Sequence, residues 1–232
     1  LSWLPYFEQF QWLSILPEID PFKFTSFPKR AAWEVFRVSG RMHSELASPE
    51  EAERLPPILT FQSVVDNTVS ARAIVSLLYS KLADNGSQLV VYDLNRSSTA
   101  LHLMKTRPPD LEAYFRSLDP LDYGVTIVRS TGDRADIELL ELRPGDGGST
   151  ITQTNLRWPQ GVYSLSHIAI PFRTDDPVYG NGNNPDTLTL GSLAPRGEAG
   201  VLMLTSNYFL RTRSNPFYGF QARTLVEWLD SL

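Results

Sequence analysis

The chain has 232 residues, of which 42% are hydrophobic and 20% are charged, a composition that argues against disorder. Its formal net charge is -5 and it has no basic run, which argues against a nucleic-acid partner. It contains no cysteine, which excludes disulfides, thiolate catalysis and zinc sites that need sulfur.

Residues 1–57 differ from the rest because aromatic side chains are crowded between prolines. Pro5, Pro17, Pro21 and Pro28 should limit any helix in this stretch to a short length. Such a segment is too small to bury its own rings, so the rings need another surface to cover. We expect a helical cap or lid over another domain, or else an ordinary helical excursion packed on a core.

A βαβ unit is predicted at 57–93. Residues 58–61 form a short β-type run, and the uninterrupted apolar run at 89–92 is typical of a strand buried on both faces of a parallel sheet. Between the two runs, Ser70 offers an N-cap for a helix. The helix would present one apolar face, made of Ala71, Ile74, Val75, Leu78 and Leu82. Strand, helix and strand at this spacing predict an α/β fold with parallel strands.

The pattern after this unit is less regular. A short helix is predicted from 108 to 118. Two strands, at 125–128 and 137–142, are predicted to form a hairpin around Thr131-Gly132-Asp133.

The remaining third of the chain mixes strands with loop. We expect strands at 164–170 and 201–204, and a long surface loop at 174–197, where Asp, Asn, Gly and Pro are frequent. Residues 217–232 predict an amphipathic helix. Its inward side chains are expected to be Phe220, Leu225, Trp228 and Leu229.

Asp66 lies in the polar loop between the first predicted strand and the helix. Functional side chains of parallel sheets gather in loops at the carboxyl ends of the strands. The motif Ser63-Val64-Val65-Asp66-Asn67-Thr68-Val69 resembles the acid loop of α/β-hydrolases, in which a carboxylate follows a late strand and orients a histidine. Without that resemblance, an aspartate just before a helix is more often an N-cap or turn residue.

A second motif surrounds His167. The stretch Tyr163-Ser164-Leu165-Ser166-His167-Ile168-Ala169-Ile170-Pro171-Phe172, followed by Asp175-Asp176-Pro177-Val178-Tyr179-Gly180, is similar to the histidine segment of a bacterial branch of serine α/β-hydrolases, the lysophospholipase and esterase-like kind. Residues 16–23 and 215–218 resemble the same branch. The resemblance implies the C-terminal part of an α/β-hydrolase sheet at 58–232, with an inserted hairpin and a cap segment at 1–57.

The resemblance also implies catalytic roles for two residues. Asp66 would be the acid and His167 the base of a catalytic triad. A neutral imidazole takes the proton of a serine hydroxyl as that oxygen attacks an acyl carbonyl, and the carboxylate stabilises the imidazolium that forms. The substrate would be a carboxylic ester, such as a lipid or lysophospholipid, cleaved through an acyl-enzyme.

The nucleophile of such a triad is absent from the sequence. No Gly-x-Ser-x-Gly pentapeptide occurs, and the triad order of this fold is serine, then acid, then histidine. The chain also opens with Leu1 and has its first methionine at Met42. Both observations lead us to expect the C-terminal half of a serine hydrolase, inactive by itself.

Two alternatives for the base stay open. Asp66 and His167 are far apart in sequence for this fold, so an insertion such as the predicted hairpin must separate them. His102 lies closer to the strand at 89–92 and is the second candidate, although its apolar neighbours are typical of a helical packing position. The remaining alternative is that neither histidine is the base. His43 is expected to be solvated.

Two other functional classes also fit. The chain could be a binding module that kept the βαβ core and lost the chemistry, or one half of a split hydrolase whose partner is the missing N-terminal half or a second copy. No motif predicts a cofactor or a metal. No apolar stretch reaches the eighteen or so residues of a membrane span, and the opening residues lack a signal-peptide pattern. We therefore expect a cytoplasmic protein with no transmembrane segment.

Overall fold

The computed structural model describes residues 10–15, 18, 20–22, 24, 26–66, 69–94, 96, 109–118, 120–131, 136–145, 148–158, 162–164, 170–180, 210–211 and 214–232. The chain divides into two compact units, Leu1–Arg54 and Leu55–Leu232. Each unit is a separate cluster of contacts, and each is described by itself below.

In the residues that the structure describes, the first unit contains two short strands and two helices. Strand β1 (Trp12–Ser14) pairs antiparallel with β2 (Phe27–Pro28), and the helices are α1 (Lys29–Glu45) and α2 (Pro49–Glu53). The expectation of only short helices was wrong for α1, which has 17 residues. Its length is possible because the prolines lie before its first residue and after its last, where they do not interrupt helical hydrogen bonds.

The second unit is built on a five-stranded mixed sheet with the order β3-β4-β5-β6-β7. The strands β3, β4 and β5 are parallel, and β6 and β7 continue the sheet in antiparallel fashion. The five strands are β3 (Leu59–Ser63), β4 (Gln88–Asp93), β5 (Gly124–Ser130), β6 (Asp136–Leu142) and β7 (Ser149–Arg157). A separate pair joins β8 (Val162–Ser164) to β9 (Leu210–Arg211) in parallel.

The predicted βαβ unit is confirmed. Helix α3 (Ala71–Leu77) and a 3₁₀ turn at Tyr79–Lys81 connect the parallel strands β3 and β4. The Oγ of Ser70 accepts a hydrogen bond from the backbone N–H of Ala73 at 3.3 Å, so the serine caps the helix as its position predicts. Strand β4 is buried along almost all of its length, as its unbroken apolar sequence requires.

The next part of the unit confirms a helix and a hairpin. Helix α4 (Leu111–Arg116) is capped by Asp110, whose Oδ1 accepts from the N–H of Ala113 at 3.0 Å. Strands β5 and β6 form the predicted antiparallel hairpin. This hairpin extends the main sheet, because β5 also pairs in parallel with β4.

Apolar side chains cover both faces of the sheet. On one face, Leu89 and Val91 of β4 pack in a cluster that includes residues of α3 and α4. On the other face, Val90 and Tyr92 pack with Phe217 and with helix α5 (Tyr218–Asp230). The second unit is therefore a mixed α/β fold with helices on both faces of the sheet.

Helix α5 runs antiparallel to β4. The Nε1–H of Trp228, near its end, donates to the carbonyl of Gly86 at 2.8 Å, just before β4 begins. The expectation that Leu225 and Leu229 point inward was wrong, because they are 42% and 54% exposed. Phe220 and Trp228 are buried as expected, and with a period of 3.6 residues the two leucines fall on other sides of the helix.

Among the described residues, none forms a helix whose length and apolar character would suffice to cross a membrane.

Candidate functional site

Three strand ends and three helix starts meet at one edge of the sheet. The parallel strands β3, β4 and β5 end there, and α3 begins a few residues after β3. Helix α4 is preceded by Pro109, whose carbonyl accepts a hydrogen bond from Arg96, just after β4. Phe217 precedes α5 and packs with Tyr92 and Leu94 at the end of β4. In parallel sheets this carboxyl edge is where ligands and catalytic groups are found.

Asp66 lies at this edge, in the turn that follows β3. Its backbone N–H donates to the carbonyl of Ser63 at 3.3 Å, and its Oδ1 accepts from the N–H of Val69 at 3.1 Å. The side chain is half-buried. The carboxylate therefore has a fixed place, with one oxygen used to hold the loop that leads into α3.

Gln62, on strand β3, binds both ends of the same loop. Its side chain is 6% exposed, and its Nε2 donates to the carbonyls of Ser63 at 3.0 Å and Val69 at 3.1 Å. Sequence reasoning missed this residue. Its signal is a polar side chain one position before the end of an otherwise apolar strand, where a buried amide needs partners.

The two candidate bases, His167 and His102, lie outside the described residues. His43 is described: it lies in the last turn of α1, in the first unit, and is exposed as expected.

Phe172, five residues after His167 in the sequence, is hydrogen-bonded to Asn215 near the carboxyl edge. The backbone N–H of Asn215 donates to the carbonyl of Phe172 at 2.7 Å. Asn215 is 1% exposed and lies beside the hydroxyl of Tyr92, at the end of β4. Burial raises the pKa of Tyr92 far above its usual value, and the neighbouring Asn215 side chain offsets part of this rise.

A second carboxylate, Asp93, ends β4 and is 5% exposed. Its Oδ2 accepts from the Nε of Arg96 at 2.6 Å, and the same guanidinium donates to the carbonyl of Pro109. Burial raises the pKa of Asp93, and the positive charge of Arg96 counteracts that rise. Arg96 thereby joins the two ends of the stretch 97–108.

Asp93 begins a row of polar residues that crosses four strands at one level. Asp93, Arg129, Glu138 and Gln153 are successive cross-strand neighbours in β4, β5, β6 and β7. Arg129 donates to Glu138 at 2.8 Å and to Glu112 of α4 at 2.6 Å, and Gln153 donates to the other oxygen of Glu138 at 2.8 Å. We call these five residues the polar row.

The polar row has the character of a structural network. Its three carboxylates each bind an arginine, so no negative charge in it is left for a substrate or a cation. In the part of the chain that the structure describes, no group of three or more acidic or histidine side chains is arranged to hold a metal ion. Asp66 lies outside this network and stays the candidate for the catalytic acid.

Neither a family model, nor a curated protein, nor a solved structure matches the chain. Its function has to be argued from the residues of the carboxyl edge and from their chemistry.

Proposed function

We propose that this chain carries the acid and the base of a serine hydrolase of the α/β-hydrolase type. Asp66 is the acid and His167 the base. The substrate is a carboxylic ester, such as a lipid or lysophospholipid, and the reaction passes through an acyl-enzyme. The observation that carries the proposal is the fixed position of Asp66 directly after the first strand of a parallel βαβ unit.

The contacts of Asp66 suit the role of an orienting acid. Such a residue must hold its carboxylate still while the imidazole beside it gains and loses a proton. The bond from Val69 to Oδ1 and the bonds from Gln62 to both ends of the loop provide that rigidity.

The location of Phe172 is the observation that bears on His167 as the base. Phe172 comes five residues after His167 and is bonded to Asn215 beside Tyr92. Tyr92 is the cross-strand neighbour of Ser63, with which the Asp66 loop begins. A stretch of five residues spans at most about 18 Å, which bounds the distance between Phe172 and His167.

The serine nucleophile is proposed to lie outside these 232 residues, because they contain no Gly-x-Ser-x-Gly motif. The chain by itself should then not react with a fluorophosphonate probe, which labels activated serines. Covalent labelling of the wild-type chain would place a nucleophile inside it and overturn this part of the proposal.

The acid–base pair can be tested without the nucleophile. The chain has three histidines, so ring-labelled histidine gives three NMR signals, assigned with the variants His43→Gln, His102→Gln and His167→Gln. We expect the pKa of the His167 ring to lie above the usual value of about 6.5. Asp66→Asn should lower it by about one unit or more, because a neighbouring carboxylate favours the imidazolium.

The signals of His43 and His102 serve as internal controls and should not respond to Asp66→Asn. If the His102 ring responds instead, His102 is the base. If no ring responds, the proposed acid–base pair is refuted, and Asp66 has only the loop-shaping role that the bond from Val69 indicates.

A further inference from the structure

Strand β7 forms an open edge of the five-stranded sheet. It pairs with β6 on one side, and no strand among the described residues pairs with it on the other. Most residues of β7 are exposed, whereas those of β3, at the opposite edge, are half-buried or buried. An open edge presents N–H and C=O groups without partners, so another strand can pair with it.

The register of β7 identifies the backbone groups that point outward. The N–H of Arg143 donates to the carbonyl of Gly148 at 3.0 Å, across the turn that joins β6 to β7. In an antiparallel pair, residues that bond the neighbouring strand alternate with residues that do not. Within Ser149–Gln153, the even-numbered residues therefore bond β6, and the odd-numbered residues direct their N–H and C=O groups to the open side. These outward residues are Ser149, Ile151 and Gln153.

The segment Ser149–Gln153 has none of the usual protection against edge pairing. Natural sheet edges are guarded by charged side chains, prolines or bulges. This segment contains no charge and no proline, and the register of β7 shifts only after Gln153. Ile151 at its centre is 55% exposed, and in the five strands of this sheet, as the structure describes them, it is the one large apolar side chain that is exposed. A strand paired at this edge would remove part of that apolar surface from water.

The segment is complementary to a second copy of itself. Its sequence, Ser149-Thr150-Ile151-Thr152-Gln153, reads almost the same in both directions about Ile151. When two such strands pair antiparallel about a two-fold axis at Ile151, this residue faces its own copy. Each threonine then faces the other threonine, and Ser149 faces Gln153. The outward N–H and C=O groups meet in matched pairs, and neighbouring β-branched side chains stabilise the sheet.

The ends of the segment are bonded to charges of opposite sign. The Oγ of Ser149 accepts from Nη2 of Arg116 at 3.1 Å, and Nε2 of Gln153 donates to Oε2 of Glu138 at 2.8 Å. Because Ser149 of one copy lies opposite Gln153 of the other in this pairing, the arginine of each copy approaches the carboxylate of the other. Such electrostatic complementarity favours this register over a shifted one.

We propose that the chain forms a symmetric homodimer, in which β7 pairs antiparallel with β7 of a second copy about a two-fold axis at Ile151. The two sheets then form one continuous sheet. The contact is one strand wide, so the dimer should be weak and should dissociate on dilution, as small interfaces do. The dimer is independent of the proposed function, because neither Asp66 nor His167 lies on β7.

Analytical ultracentrifugation of the full chain measures the association. The wild type should form dimer increasingly as its concentration rises to about 500 μM. Ile151→Lys places like charges side by side at the axis and should weaken the dimer about tenfold or more, whereas Ile151→Val keeps a β-branched side chain and should retain it. Val226→Lys is the matched control, because Val226 is 56% exposed and lies on helix α5 rather than in the sheet. It should leave the association unchanged.

Disulfide cross-linking tests the register of the two strands. The chain has no cysteine, so a single one can be introduced without competing thiols. In a hydrogen-bonded antiparallel pair the two Cα atoms are about 5.5 Å apart, which is within disulfide range. Ile151→Cys should therefore cross-link two copies on mild oxidation. In the control Ser149→Cys the two cysteines are about 14 Å apart across the axis and should cross-link far more slowly.

Each measurement has a result that overturns the proposal. A wild type that stays monomeric up to the highest concentration overturns it, and so does a dimer that Ile151→Lys leaves intact while circular dichroism shows a folded chain. Equal cross-linking of Ile151→Cys and Ser149→Cys also overturns it, because the axis then does not lie at Ile151. If Ile151→Lys does not fold, the comparison of the two cysteine variants decides.

Discussion

Arg129 lies directly across from Glu138 on neighbouring strands, and its Nε donates to Oε1 of Glu138 at 2.8 Å. The same guanidinium binds Glu112 of α4 at 2.6 Å. Arg129 therefore joins the sheet to the helix that covers it. The side chain of Glu138 is 11% exposed, so water would solvate its charge poorly if the arginine were removed.

Replacement of Arg129 should destabilise the fold clearly. Arg129→Met leaves the largely buried carboxylate of Glu138 without its arginine and removes one of the two arginines that bind Glu112. We expect a loss of about 2 to 4 kcal/mol in the free energy of unfolding. Urea denaturation measures the change. The matched control is Arg37→Met, which breaks an ion pair on α1 whose side chains are 63% and 51% exposed. The control should change stability by less than about 0.5 kcal/mol. Equal effects of the two variants would contradict the proposed burial of the polar row.

Glu112 should support the fold at neutral pH and lose that effect in acid. Partial burial tends to raise the pKa of Glu112, but Arg116 and Arg129 outweigh it and lower the pKa below its usual 4.5. A lowered carboxyl pKa contributes stability above the unfolded value, and this is lost as pH falls through the folded value.

The stability difference between wild type and Glu112→Gln should therefore be largest near neutral pH and shrink as the pH drops below about 4.5. Denaturation at a series of pH values measures it. In an Arg129→Met background the same comparison should vary less with pH. A difference that grows on acidification would refute the assignment.

The contribution of Asp93 to stability should depend on pH in the opposite direction from that of Glu112. Burial raises its pKa, and Arg96 compensates only in part. A raised carboxyl pKa contributes stability below the unfolded value, which is lost as the pH rises through the folded value. Relative to wild type, Asp93→Asn should thus gain stability as the pH increases from about 3.8.

The quantity to compare is how the stability difference between Asp93→Asn and wild type changes with pH. Its absolute size is less informative, because Asp93→Asn also changes the bond to Arg96 at every pH. Arg96→Met should steepen the slope in the chain that retains Asp93, since the compensating charge is gone. A wild-type chain whose stability relative to Asp93→Asn does not vary with pH would count against a raised pKa.

Gly180 should tolerate no side chain. A Cβ there would lie 2.3 Å from the carbonyl oxygen of Asp176 and 2.5 Å from that of Thr174, and both are backbone atoms. Gly180→Ala should cost about 2 kcal/mol or more and disturb the 170–180 turn. The control is Gly219→Ala in α5, where a Cβ meets nothing within 4 Å. That variant should be neutral or gain up to about 1 kcal/mol, because alanine favours a helix. Thermal melting of both variants decides the point.

The elements predictable from sequence are those whose signals are local. The buried strand β4 follows from its apolar run, and the cap of α3 follows from Ser70, because hydroxyl side chains bond the free N–H groups of a helix start. The hairpin of β5 and β6 has polar turn residues between two apolar runs. Asp66 could be placed at the carboxyl edge for the same reason, since it follows β3 directly.

The features that sequence could not predict depend on register and packing. Arg129 and Glu138 read as ordinary charged positions, and only the pairing of β5 with β6 makes them neighbours. The amphipathic pattern predicts that Leu225 is buried, but Phe220 and Trp228 are the buried residues of α5 and Leu225 is exposed. The contacts of Asn215 join segments more than forty residues apart, which no local pattern contains.

The long reach of helix α5 affects how the protein is made. The bond between Trp228 and Gly86 connects residues 142 positions apart. A ribosome needs on the order of ten seconds to add that many residues, so the face of β4 that α5 covers emerges long before its cover. During that interval Val90 and Tyr92 present an unprotected apolar surface on a nascent chain. We therefore expect chaperones to bind the growing polypeptide during that time, and a product that ends before α5 to aggregate.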